Sequence, residues 1–257
     1  MTYLVICLVA GLASALTFFS GFGLGTLLLP AFALFFPVEL AVAMTAVVHF
    51  SNSLFKLGLA GREANRAAVL RFGLPAIGGA FAGAWLLGAL ANLPACFDYQ
   101  LAGRTFAVTP VKSAIGVLLI GFTLVESSPA LKGKSFDPKW LPLGGVLSGF
   151  FGGLSGNQGA LRAAFLTKAG LSKEAFIGTG IVIACLIDVT RLGLYSRTLL
   201  ASHHNLNYGL LLAAVAAAFA GAYWGNRHLK KMTMAGLQRV VGVMLFLVGL
   251  GLLAGVL

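Results

Sequence analysis

Eight apolar runs, at about 2–20, 26–50, 72–93, 111–125, 140–154, 174–190, 207–225 and 240–257, alternate with short polar segments along the chain. Most approach the roughly 20 residues that a membrane-spanning helix requires. None alternates apolar and polar positions as the strands of a membrane barrel do. The pattern predicts an all-α, multi-pass membrane protein.

The runs also repeat. Ser20-Gly21 returns as Ser155-Gly156, Glu39 as Glu174, and Lys56-Leu57-Gly58-Leu59 as Arg191-Leu192-Gly193-Leu194, all at one constant separation. Phe81-Ala82-Gly83-Ala84-Trp85 recurs as Phe219-Ala220-Gly221-Ala222-Tyr223, and Ile115-Gly116-Val117-Leu118-Leu119 as Val241-Gly242-Val243-Met244-Leu245. An ordered series that includes charged positions is a poor candidate for chance similarity among Gly, Ala and Leu. Two similar halves in an apolar chain are the sequence mark of a secondary transporter whose site lies at the repeat interface. The expected organisation is a first transmembrane repeat at 1–125, a linker at 126–139 and a second transmembrane repeat at 140–257.

Composition agrees. Of 257 residues 59% are hydrophobic and 10% charged, with mean hydropathy +0.95, whereas soluble domains carry about 25% charged residues. A net charge of +11 would suit nucleic acid, but the placement of the charges points to topology instead. Arg62, Arg66 and Arg71, then Lys132, Lys134 and Lys139, then Arg227, Lys230, Lys231 and Arg239 form clusters between apolar runs. Cytoplasmic loops carry such clusters under the positive-inside rule. The segments 94–110 and 195–206 are poorer in Lys and Arg and are expected outside. Basic clusters also attract anionic lipid; no nucleic-acid partner is expected. Ala13-Ser14-Ala15 fits a signal-cleavage pattern, but no basic segment precedes it, so the N-terminal run is read as mature protein.

With the basic segments inside, 1–36 and 140–172 must each begin and end on one side of the membrane. Each is interrupted by glycines: Gly21, Gly23 and Gly25 in one, Gly152, Gly153, Gly156 and Gly159 in the other. Each is read as a broken or re-entrant hairpin followed by three transmembrane helices. An odd number of net crossings per half makes the two repeats inverted in topology. The plain alternative, eight simple helices in a parallel repeat, would put comparable basic loops on both sides.

The breaks are the leading site candidates. Irregular backbone is tolerated at membrane depth where it is buried in protein or lines a wet cavity. A helix that restarts there offers free N–H groups and the positive end of its dipole to an anion. Ser20, Gly21, Gly23 and Gly25 are therefore expected to face Ser155, Gly156, Asn157, Gln158 and Gly159 across one anionic substrate, although small residues also serve plain helix packing. Packing is the reading adopted for Gly11, Gly83, Gly221 and Gly242.

Gln158 and Arg162 share a helix face. Arg162 is an intramembrane cation whose planar fork suits an oxyanion, unless it snorkels to the interface. His49, Asn52, Ser53 and Lys56 form a polar stripe at helical spacing. His49 and Asn52 are substrate candidates, and His49 is also a proton-relay candidate, with a structural histidine as the bland reading. Asp188, the single acid deep in an apolar run, is the other candidate for H+ or another coupling ion, or it simply pairs with Arg191. His203-His204 reads as a solvated loop. Cys7, Cys96 and Cys185 form no metal or disulfide spacing. No catalytic constellation, cofactor motif or metal site emerges, so no enzyme is expected.

A glycine-rich break followed by proline (Gly21-Phe22-Gly23-Leu24-Gly25-Thr26-Leu27-Leu28-Leu29-Pro30), a small-residue helix from near Pro37, and a second glycine-rich break resemble the sulfite exporter TauE/SafE family. The resemblance runs over essentially the whole chain. It implies a permease for sulfite, thiosulfate or an organosulfonate in the bacterial inner membrane, and a homodimer is compatible with it. The second break departs from the family pattern, with Gly156-Asn157-Gln158-Gly159 and Ala164-Phe165 where a glycine triplet and a proline are expected. The expected mechanism is alternating access, with an anion channel on the same repeats as the alternative and an intramembrane enzyme as a weaker third.

Overall fold

Apolar patterning sets the helices, and a few local devices set their ends. Pro37 precedes a helix over Val38–Ala60 whose first turn carries Glu39, a charge that suits a helix N-terminus. Thr109 accepts from the Lys112 amide to cap Pro110–Ser127, and Ser172 accepts from the Ala175 amide to cap Lys173–Ala201. The computed structural model describes residues 1–16, 24–128, 135–202, 206–228 and 235–257, without the side chains of 126, 127, 228 and 235–241. The expectations for Ser20, Gly21, Gly23 and His203-His204 fall outside the described residues.

Among the described residues ten helices follow in order: α1 Thr2–Leu16, α2 Leu24–Ala33, α3 Val38–Ala60, α4 Arg66–Ala91, α5 Pro110–Ser127, α6 Leu141–Ser155, α7 Gly159–Leu166, α8 Lys173–Ala201, α9 Tyr208–His228 and α10 Ala235–Leu253. Among the described residues, the spans Val38–Glu63, Arg66–Ala91, Lys173–Ala201 and Tyr208–Arg227 are long and apolar enough to cross a membrane. The 10-residue α2 and 8-residue α7 are not. At a rise of about 1.5 Å per residue they reach roughly 15 Å and 12 Å, about half a bilayer core. All ten residues of α2, Pro30 included, are buried, so this half-helix is wrapped by protein. Leu8, Leu12, Phe81, Trp85, Val117, Leu212, Trp224 and Leu247 are exposed on the outer helices, a surface suited to lipid.

The two halves of the chain exchange helices. α6 lies along α4, and α1 lies along α9. Both contacts are made by small residues spaced four apart, which let backbones approach closely. A Cβ at Gly79 or Gly83 would overlap the Val146 or Phe150 carbonyl, and one at Gly145, Gly149 or Gly153 would overlap the carbonyl of Phe72, Ala76 or Ala80. In the other pair, a Cβ at Gly221 or Gly225 would overlap the Gly11 or Ala15 carbonyl. The central pair is α3 against α8, and α5 packs on α10.

Two segments differ from the sequence reading. The segment 195–206, expected to be a loop, is helical through Ala201, because α8, 29 residues long, continues past the end of its apolar run. The segment 94–110 holds a hairpin of β1 Phe97–Leu101 and β2 Arg104–Val108. Its turn residues Ala102 and Gly103 have φ of 50° and 76°, the geometry of a tight two-residue turn. An alanine at the first of these positions gives no turn signal. The hairpin is fastened to the end of α10: the Tyr99 hydroxyl donates to the Ala254 carbonyl, and Lys112 Nζ donates at 3.2 Å to the carbonyls of Ala107 and Gly255.

Gly83→Val should therefore lower the melting temperature in detergent, with an overpacking cost of about 1–3 kcal/mol or more. Gly78 on the same helix has open space where a Cβ would stand. Gly78→Ala should be neutral or stabilising by up to about 1 kcal/mol. Equal melting temperatures for the two variants would contradict the close α4–α6 approach.

Candidate functional site

The break between α6 and α7 is where the backbone most needs help. Gly156 adopts φ +81°, a left-handed conformation that favours glycine at a helix C-terminus. Its amide donates to the Gly152 carbonyl at 3.0 Å. The Arg191 guanidinium also reaches the Gly152 carbonyl, at 3.2 Å. The Tyr195 hydroxyl, one turn further along α8, donates to the Gly153 carbonyl. Two carbonyls at the end of α6, one of them also bonded to the Gly156 amide, are thus held by side chains of α8.

Arg191 is completely buried, and a buried cation requires a counter-charge. Asp188 supplies it from the preceding turn. Arg191 Nε donates to Asp188 Oδ1 at 2.9 Å, with Nη2 at 2.8 Å. The rest of the carboxylate is also engaged. His49 Nδ1 lies 2.6 Å from Oδ2, so with the carboxylate as acceptor the ring hydrogen sits on Nδ1. Gln158 Nε2 donates to Oδ1 at 3.3 Å. Gln158 Oε1 in turn accepts from Arg162 at 3.2 Å. Arg162, half-buried, lies against α8 beside Gly180. One continuous network, Arg162–Gln158–Asp188 with His49 and Arg191, thus joins α3, the second break and α8. It holds one carboxylate and two guanidinium groups, and arginine stays charged.

Of the sequence-predicted residues, this network unites His49, Gln158, Arg162 and Asp188. Asp188 and Arg191 do pair, as the bland reading held, but the pair also caps a helix and holds His49. Arg162 turns back to Gln158 instead of leading away from the break. Asn52 serves a different contact: its Oδ1 accepts from the Ser14 hydroxyl at 2.9 Å, tying α3 to α1. Ser155 is buried, with its hydroxyl donating to the Phe151 carbonyl at 3.1 Å. Gly159 is buried at the start of α7. Gly25 meets the second break directly, since a Cβ there would stand 3.0 Å from the Gly156 carbonyl oxygen and 3.7 Å from Thr45 Cγ2. Lys56, also buried, continues the α3 stripe.

The sequence reading did not single out Thr45, Tyr195 or the capping role of Arg191. Thr45 stands four residues before His49, so the α3 stripe carries the signal for it. Tyr195 lay in the segment read as a loop.

The family model described as Sulfite exporter TauE/SafE matches residues 5–252, nearly the whole chain. The chain belongs to that family, one of membrane transporters and not of enzymes, and it is a multi-pass membrane protein. No curated protein and no solved structure matches it.

Removing one member of the buried ion pair should cost more than removing both. Asp188→Leu leaves the Arg191 cation uncompensated and should destabilise by about 3–5 kcal/mol, whereas Asp188→Leu/Arg191→Leu should recover part of that loss. Thermal melts of the single and double variants in detergent measure the coupling. A double variant no more stable than Asp188→Leu would show that Arg191 does not depend on this counter-charge.

Proposed function

We propose that this transporter moves a small sulfur-containing anion, of the class of sulfite, thiosulfate or an organosulfonate, across the cell inner membrane by alternating access. The observation that carries the anionic part is the charge at the break. One buried carboxylate pairs with Arg191, and a second guanidinium, Arg162, joins the network only through Gln158; two cations against one acid leave positive charge in excess. An anion entering from water would compensate it. Substrate binding is assigned to the meeting of the two breaks: Ser20, Gly21, Gly23 and Gly25 on one side, Ser155, Gly156, Asn157, Gln158, Gly159 and Arg162 on the other, with His49 and Asn52 from α3.

Two inverted repeats, 1–125 and 140–257 about the linker 126–139, give the mechanism its two states. Supporting this is the exchanged packing: in each half the first helix of the hairpin lies along the second long helix of the other half, α6 on α4 and α1 on α9. A two-fold relation between the halves requires that reciprocity. The coupling proposal rests on His49 and Asp188, which join a helix from each half through a contact of 2.6 Å. A proton or another coupling ion taken up there would alter the contact that ties α3 to α8. Lipid surrounds the assembly in this reading.

Two measurements bear on this. In proteoliposomes, saturable flux of a sulfur anion with counterflow is expected. Arg162→Ala should weaken it about tenfold to a hundredfold, the effect of one charge-assisted hydrogen bond. Arg162→Lys should recover only part, since it lacks the bidentate fork, and Lys139→Ala should behave as the parent. Flux without saturation or counterflow would instead favour a channel.

For topology, single cysteines at Arg66 and Arg104 should label from opposite sides of the membrane, with Arg66 cytoplasmic. Labelling of both from one side would end the inverted-repeat reading.

A further inference from the structure

Beside the charged network lies a second polar group of a different kind. Thr45 is 1% exposed and Asn157 4% exposed. Among the described residues, Thr45 Oγ1 and both amide atoms of Asn157 have no hydrogen-bond partner. The segments that carry them approach α2 at Gly25. Thr45 Cγ2 and the Gly156 carbonyl oxygen lie 3.7 Å and 3.0 Å from the point where a Gly25 Cβ would stand, and Asn157 follows Gly156 in the break. Neighbouring polar side chains are occupied. Ser155 donates to Phe151, Ser148 to the Gln158 carbonyl, and Gln158 spans Asp188 and Arg162. Unpartnered polar atoms at such depth are costly, and here three of them belong to two residues carried by α3 and the second break where these elements meet α2.

The geometry points to Thr45 and Asn157 as a substrate subsite that selects an oxyanion bearing a hydrogen-bond donor of its own. This rests on the transport reading above and narrows its substrate class. The donor and acceptor inventory gives the reason. The Thr45 hydroxyl and Asn157 Nδ2 donate, whereas Asn157 Oδ1 only accepts. A fully ionised oxyanion offers acceptors alone and would leave Oδ1 facing negative charge. An anion with one acidic hydrogen, or a sulfonate with a nearby hydroxyl, satisfies all three atoms. Because both ends of the carboxamide lack partners, the argument holds for either amide orientation.

The charged groups near this place are Arg191, whose Nη1 stands 3.0 Å from the Gly156 Cβ position, its partner Asp188, Arg162 on α7, and His49 one turn along α3 from Thr45. They supply attraction for negative charge. Thr45 and Asn157 supply the discrimination.

The test uses purified full-length protein in proteoliposomes and in detergent, with sulfite, 2-hydroxyethanesulfonate and ethanesulfonate as probes. In the parent, 2-hydroxyethanesulfonate should compete at least about tenfold better than ethanesulfonate, the worth of one hydrogen bond to a polar site. Total sulfite should bind more weakly as pH rises and its acidic hydrogen is lost. The two sulfonates, which do not titrate in that range, report any contribution from His49 or Asp188. Thr45→Val and Asn157→Leu should each weaken sulfite and the hydroxysulfonate by about tenfold or more. Asn157→Leu should also erase the preference between the two sulfonates. Without ligand, Thr45→Val should melt at or above the parent temperature, because it breaks no bond within the protein. Parent-like affinity in both variants, no preference between the sulfonates in the parent, or a lowered melting temperature for Thr45→Val with unchanged affinity would each overturn the subsite. If no sulfur anion moves through the parent, the transport reading falls and the subsite with it.

Discussion

A helix that ends inside a protein leaves carbonyls that water cannot satisfy. The centre of this protein is organised around that fact. α6 stops at Ser155, and the Gly152 and Gly153 carbonyls are taken by Arg191 and Tyr195. Using a guanidinium for this brings a buried cation, which calls for Asp188. Asp188 has lone pairs to spare, and these draw in His49 from α3 and Gln158 from the break itself. Asp188, Arg191 and Tyr195 are spaced three and four apart and so lie on one face of α8. That face must reach past the break, so α8 has to extend beyond its apolar run. The continuation of α8 past residue 190 puts Tyr195 on that face.

The glycine contacts divide the molecule mechanically. α4 with α6, and α1 with α9, interlock backbone against backbone, so each pair resists sliding. The α3–α8 contact is different along its middle. It is made by His49 and Asp188, a polar contact that can break and re-form with other partners. Close backbone packing returns only at its end, where a Cβ at Gly178 would stand 2.7 Å from the Ala60 carbonyl. Under the proposed alternating access, the interlocked pairs move as bodies and the polar seam between α3 and α8 is where their relation changes. Placing the anion site on that seam lets binding act directly on the balance between the two states.

Much of this was legible in the residues. Apolar runs gave the helices, and the second glycine break marked where α6 gives way to α7, whose eight residues cannot cross a bilayer core. The α3 stripe and Asp188 stood out because polar groups in apolar runs are costly. What stayed hidden depends on three-dimensional partners. Asn52 looks like its stripe neighbours but turns to Ser14 of α1, which no spacing within α3 reveals. The hairpin over 97–108 turns through Ala102 and Gly103, a pair without the Asn-Gly signature of such turns. Tyr195 becomes meaningful only once the helix runs through it. The capping role of Arg191 requires knowing that α6 ends one side chain's length away.

The proposed internal repeat does not carry the same chemistry in its two halves. Ser53 and Lys56 stand where the second half has Asp188 and Arg191, His49 corresponds to Ala184, Asn52 to Ile187 and Thr45 to Gly180. α8 thus contributes the ion pair, and α3 the hydroxyl, carboxamide and imidazole groups. Duplicating the ion pair would have set a second desolvated carboxylate near the first, and two carboxylates in one low-dielectric site repel each other and an incoming anion alike. Dividing the groups leaves a single acid, already engaged by Arg191, His49 and Gln158, and cationic charge in excess. In the proposed reading, similar halves build two alternating faces, and the excess of cationic charge that suits an anion arises only where their side chains differ.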